Sequence, residues 1–173
     1  IILLSADIGN RLFDKIKKDF PKNFLNCGIA EPNMVTFAAG LSKNGFLPVC
    51  YTITNFLIYK SLEQIRNDAI YNNNKILLVG TGSGMSYSHL GPTHHSLEDI
   101  GFLNNLPKIK IFSPADNNDV KVHLEYCLKN ENKNTAYIRL GKKNEPIISK
   151  YKSKIDNLNY VIKNKSNIAI IFT

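Results

Sequence analysis

The chain has 173 residues, 43% of them hydrophobic, enough for one α/β domain with a full core. Its net charge of +8 rests mainly on lysine, Arg11, Arg66 and Arg139 being the arginines, and no stretch interleaves aromatics with Arg, so the charge suits phosphorylated small molecules and argues against nucleic acid. Cys27, Cys50 and Cys127 lie far apart without metal spacing, and no apolar run reaches the roughly 18 residues of a membrane helix; a cytoplasmic protein with reduced thiols is expected.

Ile1–Ser5 is a buried-strand pattern, and Asp7-Ile8-Gly9-Asn10 is its exit turn. Leu12, Phe13, Ile16 and Phe20 recur with a helical period over Arg11–Phe20. A strand is predicted over Phe24–Cys27 and a helix over Glu31–Asn44, stopped by Asn44-Gly45. Then follow a strand (Leu47–Ile53), a helix (Leu57–Tyr71), a strand (Ile76–Val79) and a long Gly/Ser loop (Gly80–Thr93). A short helix (Leu97–Leu106), a strand (Ile109–Phe112), a helix (Asn118–Lys129) and a strand (Thr135–Leu140) complete the pattern. Strands alternating with helices predict a doubly wound α/β fold, its sheet mainly parallel and covered on both faces. Residues 1–146 are read as one domain. Residues 147–173 are read as a Lys-rich linker and a further strand, Ile168–Thr173, that would begin another domain. A chain opening and closing on strand patterns is expected to be a fragment.

Chemistry concentrates around Asn26-Cys27-Gly28-Ile29-Ala30-Glu31-Pro32-Asn33-Met34-Val35. Gly28 permits a tight turn, and Glu31 falls in the first helical turn with Pro32 beside it. It is either a charge that favours a helix start or a carboxylate at the carboxyl end of a strand, where open α/β sheets place ligands. Gly80-Thr81-Gly82-Ser83-Gly84 lacks the Lys-Ser/Thr of a phosphate loop and is not followed directly by a helix, which argues against nucleotide binding there. His89, His94 and His95 have no Cys or acid that completes a ligand spacing, so no metal site is expected.

These blocks have a common resemblance. Asn26–Val35 resembles the N-x-G-I-A-E-Q-N-M-V motif of the transketolase family's pyrimidine-binding domain. Glu63-Gln64-Ile65-Arg66, Gly91-Pro92-Thr93-His94-His95, Glu98-Asp99-Ile100, Ser113-Pro114-Ala115-Asp116 and Tyr137-Ile138-Arg139-Leu140-Gly141 follow in family order from Asp7 to about Pro146. The resemblance implies thiamine diphosphate as cofactor. Glu31 is then the glutamate that shares a proton with N1′ of the aminopyrimidine, so that the 4′ nitrogen acts as base beside C2; the role needs a carboxyl group in a dry site. Phe56 is then the ring-stacking aromatic, with Ile53 and Tyr59 lining the cradle and Asp7 and Ile8 on the thiazolium side. Ordinary core packing is the competing reading for Phe56 and Tyr59. His94 is then a proton donor and charge stabiliser near the reacting carbonyl, the alternative being a helix cap. Arg139 and Lys142 resemble a substrate-phosphate block, with a surface charge as the alternative for Arg139.

Three departures accompany the match. Pro32 replaces the Gln after the Glu, Gly82 stands where the family has a His, and Leu90 stands where it has an acid that bonds a donor-sugar hydroxyl. A donor lacking a hydroxyl at that point, or bound without that contact, is expected. No G-D-G…N motif for Mg²⁺ occurs, so the ion and the diphosphate would be held by a diphosphate-binding domain or subunit. The implied protein is the pyrimidine-binding part of a transketolase-like or 1-deoxyxylulose-5-phosphate-synthase-like transferase. It would move two-carbon units to or from sugar phosphates or keto acids, as a homodimer or heterotetramer. The alternatives are a catalytically impaired binding or regulatory module of the same fold, and an unrelated nucleotide-binding α/β domain.

Overall fold

The computed structural model describes residues 1–9, 11–129, 134–142 and 146–148. The linker and closing strand expected beyond residue 148 lie outside the described residues. Within them run six strands, β1 (Ile2–Ser5), β2 (Phe24–Asn26), β3 (Pro48–Ile53), β4 (Leu77–Thr81), β5 (Lys110–Phe112) and β6 (Ala136–Arg139). All pair parallel, in the order β2-β1-β3-β4-β6-β5. Parallel neighbours require crossovers. These are α1 (Asp14–Asp19), α2 (Glu31–Lys43), α3 (Thr54–Tyr59), α4 (Leu62–Gln64), α5 (Asp99–Asn104) and α6 (Asn117–Leu128). The doubly wound fold read from the alternation is the fold observed.

Side chains alternate across each strand, and both faces find a cover. Leu4, Cys50, Leu78 and Tyr137 lie side by side across β1, β3, β4 and β6, each fully buried. They pack into one core with Met34, Val35 and Ala38 of α2 and Leu57 and Ile58 of α3. On the other face Leu77, Val79, Phe112, Ala136 and Ile138 pack against Cys127 of α6. Phe13, just before α1, meets Tyr51 edge-on at 5.0 Å beside that second core. The two connections that start at β1 and β2 therefore run on opposite faces, and the order reverses around β1. Such a reversal is where open parallel sheets leave a crevice, here at the carboxyl ends of β1 and β3.

Most element ends lie within two or three residues of the sequence reading. Three regions differ. The first helix opens only at Asp14, because Arg11 takes φ +63° and Phe13 turns inward against Phe24 and Tyr51. The helix expected over Leu57–Tyr71 begins at Thr54, breaks at Lys60–Ser61 and ends as a π-helix, Ile65–Tyr71. Its wider turn buries Ile65, Ala69 and Ile70 together. The Gly/Ser loop starts inside β4 and holds two 3₁₀ turns, Ser88–Leu90 and Pro92–His94.

Candidate active site

Glu31 is delivered to the crevice by a clamp on two strand exits. The Asn26 side-chain oxygen accepts from Gly28 N and Asp7 N, each at 3.0 Å, and its amide donates to the Asp7 carboxylate at 2.9 Å. Cys27 N donates to Ser5 O at 2.7 Å. Gly28 turns at φ +73°, and Glu31 opens α2 with Pro32 next, where a missing N–H has no intrahelical partner to lose. The buried stripe Glu31, Met34, Val35, Ala38 and Ala39 follows helical spacing, so the packing that buries the helix also draws Glu31 inward, to 1% exposure.

A carboxylate so enclosed needs a counter-charge. Lys60, at the end of α3, supplies it: its Nζ is ion-paired with Glu31 Oε2, while its side chain stays 44% exposed. Lys60 lies one helical turn after Phe56, and its ammonium sits 5.4 Å from that ring's centre. Phe56 meets the His94 ring edge-on at 5.1 Å. His94 lies 5.9 Å from the Tyr87 ring, and Lys142 Nζ stands 4.1 Å over Tyr87. Glu31, Lys60, Phe56, His94, Tyr87 and Lys142 thus form one continuous line of side chains. His94 Nδ1 is 3.0 Å from Thr93 Oγ1.

The structure therefore brings together Glu31, Phe56, His94 and Lys142 from the sequence reading. Ile53, the last residue of β3, adjoins the first turn of α3 and pairs with Thr81. The others have different attachments. Asp7 is engaged by Asn26, and the Ile8 carbonyl accepts from Ser5 Oγ at 2.7 Å; both serve the loop's shape. Tyr59 donates to Glu98 at 2.5 Å and packs edge-on against Phe102 at 5.3 Å. It lines an open groove of about 480 Å³ with Asn55, Pro92, Thr93 and His95. Burial and that bond to Glu98 push the Tyr59 phenol's pKa up. Burial pushes the Cys27 thiol's pKa up as well.

Arg139 is a correction to the picture of a surface charge. Its side chain is 12% exposed, Nε is ion-paired with fully buried Asp99 at 2.9 Å, and Nη2 donates to Ser96 O at 3.3 Å. Tyr137 donates to the same Asp99 oxygen at 2.7 Å, and burial pushes that phenol's pKa far up. Arg139 and Tyr137 thereby tie the start of α5 to β6. Among the described residues no group of three or more His, Cys, Asp or Glu could hold a metal ion.

Lys60, Tyr87 and Asp99 were missed as members of these networks. The i, i+4 spacing of Phe56 and Lys60 was a visible signal for the first. Nothing in the local pattern pairs Tyr87 with Gly82 or Lys142.

The sequence matches the family described as transketolase, pyrimidine binding domain, over residues 1–146. The chain belongs to the transketolase family. It is 39% identical over 131 residues to one subunit of the apulose-4-phosphate transketolase of Actinobacillus succinogenes, covering 76% of this chain and 42% of that protein. It is 35% identical over 150 residues to human transketolase, covering 86% of this chain and 23% of that protein. The chain thus spans less than half the length of these curated relatives. Among solved structures it resembles a split gene transketolase described as an inactive beta4 tetramer. That match has a TM-score of 0.74 and 30% identity, over 85% of this chain and 47% of the other. The Campylobacter jejuni transketolase, with a TM-score of 0.76 and 22% identity over 95% of this chain and 26% of the other, shares the fold. Among the described residues no helix is long and apolar enough to cross a membrane.

Proposed function

We propose that this chain is the pyrimidine-binding part of a thiamine-diphosphate-dependent, cytoplasmic transferase that moves two-carbon units to or from sugar phosphates or keto acids. The observation that carries the reading is Glu31, a carboxyl group 1% exposed at the crevice and linked through Lys60 to the Phe56 ring. A dry carboxyl beside an aromatic face fits an aminopyrimidine, which offers one ring nitrogen to bond and a flat surface to stack. When bound, thiamine diphosphate supplies the carbon nucleophile that takes up the two-carbon fragment. Glu31 holds and moves a proton at the pyrimidine N1′. Phe56 and Ile53 keep water from it. His94 donates a proton to the developing oxygen of the donor carbonyl, and Lys142 meets the substrate's phosphate. Arg139, committed to Asp99, acts by holding α5 in place.

Diphosphate and Mg²⁺ belong in this reading to a partner domain or subunit, in a homodimer or heterotetramer. Two relatives support that division, one named as a subunit of an apulose-4-phosphate transketolase and the other as an inactive beta4 tetramer of a split gene transketolase. Leu90, 45% exposed on the Ser88–Leu90 turn, offers a donor hydroxyl no acceptor and suits a donor without one there. The test is two-carbon transfer by the complete assembly. Glu31→Ala is expected to abolish turnover with cofactor in excess while thermal unfolding stays cooperative; near-parental turnover would sink the assignment.

A further inference from the structure

Gly82, at the exit of β4, turns at φ +71°, and a Cβ placed on it would lie 1.9 Å from Tyr87 Cε2. The ring of Tyr87 therefore occupies the space beside the strand exit that a side chain at position 82 would fill. The ring is hemmed in on two further sides. His94 lies 5.9 Å away and the Lys142 ammonium stands 4.1 Å over the ring. The backbone that leads into Lys142 is fixed beside the ring. Ser83 N and Oγ donate to Leu140 O at 3.0 and 2.8 Å, and Gly82 N and Thr81 Oγ1 donate to Gly141 O at 3.3 and 3.1 Å. The exits of β4 and β6 are stitched together, and Lys142 follows directly after the seam.

We propose that Tyr87 is a positioning residue of this site: seated on Gly82, its ring holds the Lys142 ammonium at the mouth of the crevice, where it selects substrates with a phosphate or equivalent dianion. This rests on the reading of the site given above. An ammonium on a four-carbon stem is a mobile point charge, and ordering it costs rotamer entropy. A ring face that attracts it offsets part of that cost before substrate arrives. Half-burial of Tyr87, which pushes its phenol's pKa up, is consistent with a ring held against the loop and not swung into water. The glycine is the enabling residue, since any other side chain at 82 would displace the ring.

Calorimetry on the complete assembly, with a pentose 5-phosphate and the same pentose unphosphorylated, tests this without turnover. The parent is expected to prefer the phosphorylated sugar by about tenfold or more, as a charge-assisted contact allows. Tyr87→Ala should reduce that preference by about five- to tenfold and leave pentose binding within about twofold. Tyr87→Phe, which keeps the ring, should retain the preference. Lys142→Gln should lose it, and adding Tyr87→Ala to Lys142→Gln should change nothing further. Gly82→Ala, which displaces the ring, should imitate Tyr87→Ala. Full preference in Tyr87→Ala, additive losses in the double variant, or no preference in the parent would each overturn the proposal. A preference that behaves as described in an assembly without two-carbon transfer would reject the proposed reaction and leave this inference standing. Transfer activity with an undiminished preference in Tyr87→Ala would do the reverse.

Discussion

Glu31 and Lys60, 29 positions apart, meet because one opens α2 and the other ends α3. The carboxylate is nearly free of water and the ammonium is not, at 2% and 44% side-chain exposure. Removing the lysine strands a buried charge, whereas removing the glutamate releases an ammonium that can turn to solvent. Lys60→Met is therefore expected to destabilise the chain by about 1–2 kcal/mol, less than the loss at a fully buried pair because water screens the exposed end. Lys60→Arg should recover most of it. Denaturant unfolding of the two variants checks this; equal stability of Lys60→Met and the parent would mean that the pair contributes nothing. Arg139, read in sequence as a phosphate contact or surface charge, is a similar pair with less water: its side chain is 12% exposed and is ion-paired with Asp99 at the head of α5.

Helix placement against the sheet depends on particular close approaches. α3 starts against β4 at Gly80, where a Cβ would lie 2.6 Å from Thr54 Oγ1 and 3.1 Å from both Thr54 Cα and Tyr137 Cε2. Backbone on one side and a fully buried ring on the other cannot yield, so Gly80→Ala should cost about 1–3 kcal/mol in a denaturant titration. A neutral outcome would show that α3 can shift. On the opposite face α6 inserts His123, 8% exposed, against Phe112 at 4.9 Å between ring centres. Burial lowers the His123 pKa below its ordinary 6.5, with Asp119 opposing the shift. The unfolded chain then binds a proton that the folded one refuses. This contribution to stability is intact above pH 6.5 and is lost as pH falls through the folded value. Melting temperatures of the parent should drop between pH 7 and pH 5, and His123→Leu should flatten that part of the slope. The same slope in both proteins would assign it to other groups.

Taken as one body, the described chain presents, on the proposed reading, half of a cofactor site. It has a buried carboxyl, an aromatic face and a histidine, and no cluster of metal ligands among the described residues. In that reading magnesium, held with the diphosphate by the partner, would carry much of the affinity for the cofactor. Calorimetry with this chain alone should accordingly show no thiamine diphosphate binding below about millimolar, the level left when only a ring stack and one hydrogen bond remain. Micromolar binding by the isolated chain would contradict the division of the site between two partners.

Much was legible in one dimension because the signals are local. Alternation of strands and helices specified a parallel sheet wound on both faces, since each element must hide an apolar side. The turn at Gly28, the acid at Glu31 and the Gly-Pro-Thr-His run ending at His94 are contiguous stretches, so their family could be read from motifs. Contacts between distant stretches could not. The insertion of β6 between β4 and β5, the partnership of Lys60 with Glu31 and the capture of Arg139 by Asp99 each depend on the order in which strands pair. Hydrophobic pattern states which face a residue turns to the core, and not which neighbour it finds there. The seat of Tyr87 on Gly82 is the clearest instance: the glycine reads in sequence as a lost side chain, and in three dimensions as the space another ring has taken.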